Sequence, residues 1–400
     1  MASFASLVLA AAAVVAAPLP APPAAPAPAA GVLPIDPEPV IDAPGIHAPS
    51  DSAQQAPLPP PAPDQLMVVP PELRRLVRQK VVMPHGTDED RARALVHLLL
   101  DEDALALHYE TVATHTVAET YAIRSANCLS FTLFFVALAR EAGINSHAQE
   151  VGQVLSWYQD QRTIYNFGHV NAQIRVGGRS GTVDLDSSVL MDRRGPKVIS
   201  DERLFAHYYN NRGSELMADG QYVAARQYFE QALRMDSTLP NVWNNLGVLE
   251  VREGHLDAAG RDYAQALRLN PEHVASLSNQ INLYRRLGDN TAADAALQHL
   301  DQIHSVDPFH QFMLGRQAET RGDYAEAATR YRRAIALYPA AHQFHFGLAR
   351  VYFLSGEGKL AERELRRARE LGPENDRTRY QAKLDSLHRL ERSGALAADR

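Results

Sequence analysis

The sequence predicts an α+β domain followed by an all-α solenoid of helical hairpins, and two observations carry this prediction. Residues 206–375 repeat with a constant period of 34 residues. Before them, the hydrophobic pattern changes from helical to alternating near residue 145. A chain of 400 residues is long enough for two or three hydrophobic cores, which agrees with separate domains.

The composition excludes several classes of function. A net charge of −7 argues against a nucleic-acid scaffold, which would need an excess of basic residues. Cys128 is the one cysteine, so the chain cannot form an internal disulfide or a cysteine-built zinc or iron–sulfur site. No metal or cofactor is indicated, because His342 and His345, spaced i, i+3, are expected to be ordinary surface histidines.

The apolar residues 1–17 predict a signal peptide, because this stretch is too short to cross a bilayer and ends in small residues. We therefore expect export to the periplasm or outside the cell, with no integral membrane segment in the mature chain. The stretch lacks the usual positive charge, since the first arginine of the chain is Arg74. A cytoplasmic location is the alternative.

Residues 18–65 are dominated by proline and alanine and contain almost no aromatic side chains. Such a composition cannot bury enough apolar surface to offset the loss of chain entropy on folding. The sequence therefore predicts a disordered linker, which would hold the folded part of the chain away from the N-terminus.

Residues 66–204 combine helical segments with later strands. Proline at a helix start predicts a helix over 70–82, and two more helices are predicted before residue 126. The most apolar helix covers 127–144 and ends at Gly143. Alternating and β-branched residues then predict antiparallel strands in three segments: 146–154, 169–178 and 181–189. Helices followed by strands in this order predict an α+β domain.

The repeats are defined by small residues at fixed positions. Five units start at residues 206, 240, 274, 308 and 342. The fifteenth position is always glycine: Gly220, Gly254, Gly288, Gly322 and Gly356. The twentieth is always alanine: Ala225, Ala259, Ala293, Ala327 and Ala361. Repeat three is expected to be the least regular, because Ile281 and Leu300 stand where most other units have a small residue.

This pattern is typical of paired antiparallel helices. Glycine allows the turn between two helices, and the small residues let the helices approach closely. One hairpin cannot bury its apolar face alone, so neighbouring hairpins stack into a solenoid. The pattern resembles the tetratricopeptide repeat family over residues 206–375. That resemblance implies a protein or peptide partner on the concave face, and residues 376–400 are predicted to form a capping helix and a tail.

Three residues of the α+β domain point to thiol chemistry. Cys128 opens the apolar helix, where the helix dipole favours a thiolate and the backbone N–H groups can stabilise an oxyanion. His169 opens a strand and Asp184 lies in the next one, so a hairpin would let the carboxylate orient the imidazole. Asp186 shares a strand face with Asp184 and is an alternative carboxylate.

A cysteine on a helix, a histidine on a strand and then an aspartate resembles the chain order of the transglutaminase-like (papain-like) superfamily. The run NCLSFTLFFVALAREAGINSHAQEV is similar to the cysteine region of bacterial transglutaminase-like proteins that also carry tetratricopeptide repeats. The resemblance covers roughly residues 70–200. It implies Cys128 as the nucleophile, His169 as the general base and acid, and Asp184 as the orienting carboxylate.

Two functions are compatible with these features. The preferred hypothesis is a repeat scaffold fused to a transglutaminase-like domain, a cysteine protease or acyltransferase that hydrolyses an amide or transfers an acyl group through a thioester. The alternative is a catalytically inert adaptor, in which both domains mediate protein–protein assembly at the cell envelope. The residues alone do not choose between them.

Overall fold

A computed structural model describes residues 40–42, 59–84, 86–109, 114–151, 157–160, 163–166, 169–184, 195–372 and 374–392. The predicted signal peptide, most of the predicted linker and the alternative carboxylate Asp186 lie outside this part of the chain. Among the described residues, no helix combines the length and the apolar character that crossing a membrane requires.

In the described part of the chain, four α-helices precede the main sheet. They are α1 (Pro71–Val77), α2 (Asp88–Leu100), α3 (Val117–Ile123) and α4 (Cys128–Glu141). A π-helical turn, Arg78–Val82, continues α1. Thr116 begins α3 with a capping box, in which its side chain and that of Glu119 each accept a backbone N–H. These helices occupy the segments in which the sequence predicts helices.

The described strands are short. In chain order they are β1 (Val40–Asp42), β2 (His108–Tyr109), β3 (Ser125–Ala126), β4 (Asn145–Val151), β5 (Trp157–Asp160), β6 (Thr163–Asn166), β7 (His169–Val176), β8 (Arg179–Val183) and β9 (Lys197–Val198). The largest sheet has the order β8-β7-β4-β9, and all its neighbours are antiparallel. The turn between β7 and β8 contains Gly177 and Gly178, both at positive φ. The predicted strands therefore form a hairpin at this point.

One strand lies inside the predicted linker. Val40–Asp42 forms β1, which pairs in parallel with β6, and β6 also pairs antiparallel with β5. This short stretch of the predicted linker, residues 18–65, therefore forms a strand. The physical reason is that two β-branched residues, Val40 and Ile41, favour a strand wherever a neighbouring strand can pair with them.

The core of this region is built on α4, which contacts both β4 and β7. Phe131, Phe134 and Phe135 are at most 2% exposed, and every residue from Cys128 to Ala139 is buried. A helix that is apolar on all sides needs cover on all sides, and the sheet together with α1, α3 and α5 (Asp201–Ala218) supplies it. The strongly apolar sequence of α4 thus explains its central position.

Paired helices follow the sheet and continue to the last described residue. After α5 they are α6 (Tyr222–Met235), α7 (Pro240–Glu253), α8 (Leu256–Leu269), α9 (Val274–Leu287), α10 (Asn290–Val306), α11 (Pro308–Thr320), α12 (Tyr324–Leu337), α13 (His342–Leu354), α14 (Gly358–Leu371) and α15 (Glu374–Arg392). The five glycines at repeat position fifteen all have positive φ, between 77° and 88°. They lie in the turns between paired helices, as the sequence predicts.

The chain divides into two compact units, Met1–Ala296 and Leu297–Arg400. Within the first unit, α5 packs against α4 and β4 as well as against α6, and one hydrophobic core joins the N-terminal helices to the first repeats. The division falls inside α10, the second helix of repeat three. This helix has 17 residues, whereas α6, α8, α12 and α14 each have 14.

Candidate functional site

Cys128 is the first residue of α4, and its side chain is buried. The side chain of Asn127 caps the helix by accepting a hydrogen bond of 2.8 Å from the helix backbone. One turn later, the hydroxyl of Thr132 donates to the carbonyl of Cys128 at 2.7 Å and to that of Val170 at 3.3 Å. The second bond ties the first turn of α4 to β7, the strand that begins with His169.

The three residues predicted for thiol chemistry lie together. Nε2 of His169 is 2.6 Å from Oδ2 of Asp184, and Cys128 lies close enough to the imidazole to raise the pKa of His169. Asp184 comes directly after the last residue of β8 rather than within the strand, and the β7–β8 hairpin brings it beside His169.

The electrostatics of this site favour a charged imidazole. Burial by itself lowers the pKa of His169, but its hydrogen bonds and charge interactions with Asp184 and Cys128 outweigh burial and raise that pKa to about 10. His169 is therefore an imidazolium at neutral pH.

Asn171 also belongs to this site, although the sequence did not single it out. Its Nδ2 donates a hydrogen bond of 2.9 Å to Oδ2 of Asp184, the oxygen that His169 also contacts. Asn171 lies two residues after His169 on β7, so both side chains are on one face of the strand. The two-residue spacing of His169 and Asn171 was the signal in the sequence for this contact, but an asparagine in a strand has many ordinary structural roles.

A row of buried asparagines runs along the first helices of three repeats. This asparagine row consists of Asn210 and Asn211 on α5, Asn244 and Asn245 on α7, and Asn279 on α9. The side-chain amide of Asn245 donates to Asn210 at 2.9 Å, and that of Asn279 donates to Asn244 at 2.9 Å. The amide of Asn244 donates to Asn245 at 3.1 Å, which joins the two pairs. The signal in the sequence is the 34-residue spacing of Asn211, Asn245 and Asn279.

The asparagine row connects to the cysteine helix through Thr114. The hydroxyl of this buried threonine accepts a hydrogen bond of 3.4 Å from Asn211 and one of 3.0 Å from Asn127, the residue that caps α4. The backbone N–H of Thr114 donates to Glu215 on α5 at 2.8 Å. A continuous chain of polar contacts therefore links the first repeat to the start of the helix that carries Cys128.

A second group of polar contacts, the Glu150 cluster, joins β4 to the first repeat. Glu150 on β4 accepts a hydrogen bond of 2.7 Å from Arg203 and lies 2.6 Å from Nε2 of His207, both on α5. Arg203 also donates to Asp236 at the end of α6, at 2.9 Å. Burial would raise the pKa of Glu150, but His207 and Arg203 lower it to about 2.

The two histidines expected at the surface are in fact buried. Nδ1 of His342 is 2.8 Å from the hydroxyl of Tyr380, and Nδ1 of His345 is 2.8 Å from Oε2 of Glu364. The expectation was wrong because α14 and α15 cover this face of α13, which the spacing of two histidines on one helix does not show. Their partners are protein side chains, as is usual for buried histidines.

Among the described residues, Glu250, Glu253 and His255 bring three potential metal ligands close together. Arg226 forms ion pairs with both glutamates. Because its guanidinium already neutralises the carboxylates, a cation would have to displace it. We therefore do not assign a metal to this cluster.

The repeat region matches a family model described as Tetratricopeptide repeat, over residues 210–262, 244–308 and 312–376. The repeats are tetratricopeptide repeats. The matches fall on helices α5 to α15, where the 34-residue period predicted this family. They begin after the cysteine site, so the resemblance of roughly residues 70–200 to transglutaminase-like domains stays a prediction.

Curated proteins with related sequences are mostly much longer. Cellulose synthase operon protein C of Pseudomonas fluorescens is 25% identical over 163 residues, which cover 38% of this chain and 12% of that protein. Protein O-mannosyl-transferase TMTC3 of Homo sapiens is 26% identical over 46% of this chain, and the match spans 20% of its length. Photosystem I assembly protein Ycf3 of Rippkaea orientalis is 25% identical over 34% of this chain and 68% of Ycf3.

Solved structures that align with part of this chain include YrrB and the MamA protein. YrrB, a tetratricopeptide repeat protein with an unusual peptide-binding site, is 19% identical, with a TM-score of 0.24. The alignment covers 45% of this chain and 92% of YrrB. The MamA protein is 17% identical over 42% of this chain and 91% of MamA, also with a TM-score of 0.24.

Proposed function

We propose that this chain is a tetratricopeptide-repeat scaffold that binds an extended stretch of a protein or peptide partner. The observation that carries the proposal is the stack of helical hairpins, which matches the tetratricopeptide repeat model over residues 210–262, 244–308 and 312–376. The buried asparagine row joins the first helices of three consecutive repeats by side-chain hydrogen bonds, and so fixes how these helices are spaced. Regularly spaced helices form an extended surface, which suits an extended polypeptide.

An adaptor that assembles other proteins is the form of this function that we favour. The Photosystem I assembly protein Ycf3, one of the relatives, is named for an assembly role. The proposed place of this chain at the cell envelope rests on the predicted signal peptide, residues 1–17. N-terminal sequencing of the mature protein tests that location: we expect the mature chain to start after residue 17, and an intact Met1 would contradict export.

Peptide binding can be tested with the full chain on an array of immobilised peptides. We expect Asn279→Ala to weaken binding about 10-fold, because it removes the buried hydrogen bond to Asn244 that holds α9 against α7. The matched control is Gln265→Ala on α8, whose side chain contacts Arg268 of the same helix; this variant should bind like wild type. Equal binding by all three proteins, or no binding to any peptide, would contradict the proposal.

A second function, thiol chemistry, is favoured by one specific observation, the contact of Cys128 with His169 and of His169 with Asp184. We propose that Cys128 is a nucleophile, with His169 as general acid and base and Asp184 as the residue that orients the imidazole. The substrate class would be an amide or acyl group, as the resemblance to transglutaminase-like domains implies. Asn171 would help to fix the position of the carboxylate.

The proposed reaction has two steps. The Cys128 thiolate attacks the carbonyl carbon of an amide, and backbone N–H groups at the start of α4 stabilise the oxyanion. As the carbon–nitrogen bond breaks, the His169 imidazolium gives its proton to the leaving amine, and a thioester remains. Water or an amine then attacks the thioester carbon and gives a proton to His169. The carbon–sulfur bond breaks, and the Cys128 thiolate is released. Water gives hydrolysis, and an amine gives acyl transfer.

Alkylation by iodoacetamide tests the nucleophile. We expect Cys128 to react readily at pH 6.5 in the wild-type protein, and His169→Gln to slow the reaction at least about 10-fold, because the imidazolium no longer stabilises the thiolate. The control is His147→Gln, an exposed histidine on β4. A reaction that begins only above about pH 8.5 and is equally fast in all three proteins would rule out an activated thiol.

A further inference from the structure

The strand β1 lies at the junction of a sheet and the repeats. Its backbone pairs in parallel with β6, with Val40 opposite Ile164, Ile41 opposite Tyr165 and Asp42 opposite Asn166. The same strand lies against α7 and α9, the first helices of repeats two and three. These helices carry three of the five residues of the asparagine row. A segment distant in sequence thus lies on the two helices for which we propose peptide binding.

The geometry is that of a bound peptide. An extended peptide can add to a sheet edge, where main-chain hydrogen bonds hold it whatever its side chains are. β1 is such an extended segment, only three residues long, and its sequence neighbours include Pro39 before it and Pro44 after it. Prolines limit a strand to a few residues and favour an extended backbone on either side.

We propose that β6, α7 and α9 form one composite peptide site, which the chain fills with its own segment Val40–Asp42. A partner enters this site by displacing that segment. The partner class that fits is an extended peptide with a short β-branched run flanked by prolines, like residues 35–46 of this chain. This inference rests on the proposed peptide-binding function and says how the internal segment would regulate peptide binding.

The segment is well suited to be displaced. A covalently attached ligand acts at an effective concentration on the order of millimolar, so it blocks weak partners and yields to tighter ones. Three paired residues give little stability on their own. The internal segment competes with a partner for the site. The apparent affinity for the partner is the intrinsic affinity multiplied by the fraction of chains in which the site is open. The repeats would therefore bind a partner only when it outcompetes the internal segment.

The test uses the full chain and a fluorescein-labelled synthetic peptide of residues 35–46. The variant Val40→Gly, Ile41→Ser, Asp42→Gly weakens the internal segment. The matched control places the same three residues elsewhere in the Pro/Ala-rich stretch, as Ala24→Gly, Ala25→Ser, Pro26→Gly. By fluorescence anisotropy, we expect the first variant to bind the peptide at least about 10-fold more tightly than wild type and control do. Equal affinities of the wild type, the first variant and the control for the peptide would overturn the claim that the internal segment fills the site.

Hydrogen exchange of β6 gives a second measurement. Amide groups of residues 163–166 should exchange faster in the first variant than in wild type, and adding the peptide should slow them again. Unchanged exchange, or failure of the first variant to bind the peptide, would overturn the composite site. If the peptide array still yields ligands in that case, only this inference fails. If no peptide binds in either experiment, the proposed scaffold function fails with it.

Discussion

At the scale of single residues, His169 and Asn171 of β7 both contact the carboxylate of Asp184. His169 contacts its Oδ2 at 2.6 Å, and Asn171 donates to the same oxygen at 2.9 Å. The side chain of Asp184 has 15% of its surface exposed, so these bonds contribute to its orientation. Because Asn171 contacts the carboxylate and not the reacting atoms, it is a positioning residue.

Replacement of Asn171 should therefore affect reactivity more than folding. For Asn171→Ala we expect Cys128 to alkylate several-fold more slowly at pH 6.5, because a misplaced carboxylate holds the imidazolium less well. The unfolding midpoint should fall by only a few degrees, as for the loss of one buried hydrogen bond. The control is Arg175→Ala, an exposed residue of the same strand. An alkylation rate equal to that of wild type would contradict a positioning role.

At the scale of the elements, close helix contact in the repeats depends on glycine facing an aromatic ring. A Cβ atom added at Gly247 would lie 2.5 Å from Cε1 of Tyr263, and one at Gly213 would lie 2.6 Å from Cε1 of Phe229. The same geometry recurs at Gly315, where Tyr331 is 2.7 Å away. The rings are buried, so they cannot move aside without disturbing the hydrophobic core.

The substitution Gly247→Ala should thus destabilise the protein by about 1–3 kcal/mol, because overpacking exceeds the gain in helix propensity. Gly260→Ala on α8 is the matched control, since its added Cβ would lie 3.6 Å from the flexible side chain of Leu283. That change should be neutral or stabilise by up to about 1 kcal/mol. Chemical denaturation measures the free energy of unfolding of both variants. An equal effect of the two substitutions would contradict the close contact between Gly247 and Tyr263.

At the scale of the whole molecule, the Glu150 cluster joins the sheet to the repeats. Glu150 has a pKa of about 2, well below its ordinary value of 4.5. A carboxyl with a lowered pKa in the folded state stabilises the protein fully above its unfolded pKa. That stabilisation is lost as the pH falls through the folded value. The relevant window therefore lies between about pH 4.5 and pH 2.

The substitution Glu150→Gln should cost on the order of 2 kcal/mol at pH 7, because Arg203 and His207 lose a charged partner in a partly buried site. It should also flatten the loss of stability between pH 4.5 and pH 2. The control, Glu89→Gln, removes an exposed i, i+4 pair with Arg93 and should cost at most about 0.5 kcal/mol. Thermal unfolding at a series of pH values measures the stability of both variants. A Glu150→Gln stability profile identical to that of wild type would contradict the role of Glu150.

Much of this architecture could be predicted because it is encoded locally. The five glycines and the 34-residue period predict the helical hairpins, since each turn depends on a residue within the turn itself. The sequence also predicts that Asp184 lies beside His169, since one β-hairpin suffices to bring them together; the place of Cys128 beside them was implied by the family resemblance. These predictions needed no knowledge of distant packing.

The features that could not be predicted depend on contacts between distant segments. β1 pairs with β6 and lies on α7 and α9, and nothing in a Pro/Ala-rich stretch specifies such partners. The burial of His342 likewise depends on α15, which lies in another part of the sequence. The asparagine row was visible as a period in the sequence, but the buried bonds between its amides required the packing of three repeats.

The central claim, that the repeats bind an extended polypeptide across α7 and α9, is tested most directly by photo-crosslinking. An array-selected peptide carrying a photoreactive group is bound to the full chain, irradiated and mapped by mass spectrometry. We predict cross-links to residues of α7 and α9, reduced by Asn279→Ala and unchanged by Gln265→Ala. Cross-links confined to other parts of the chain, or equally strong in both variants, would contradict the claim.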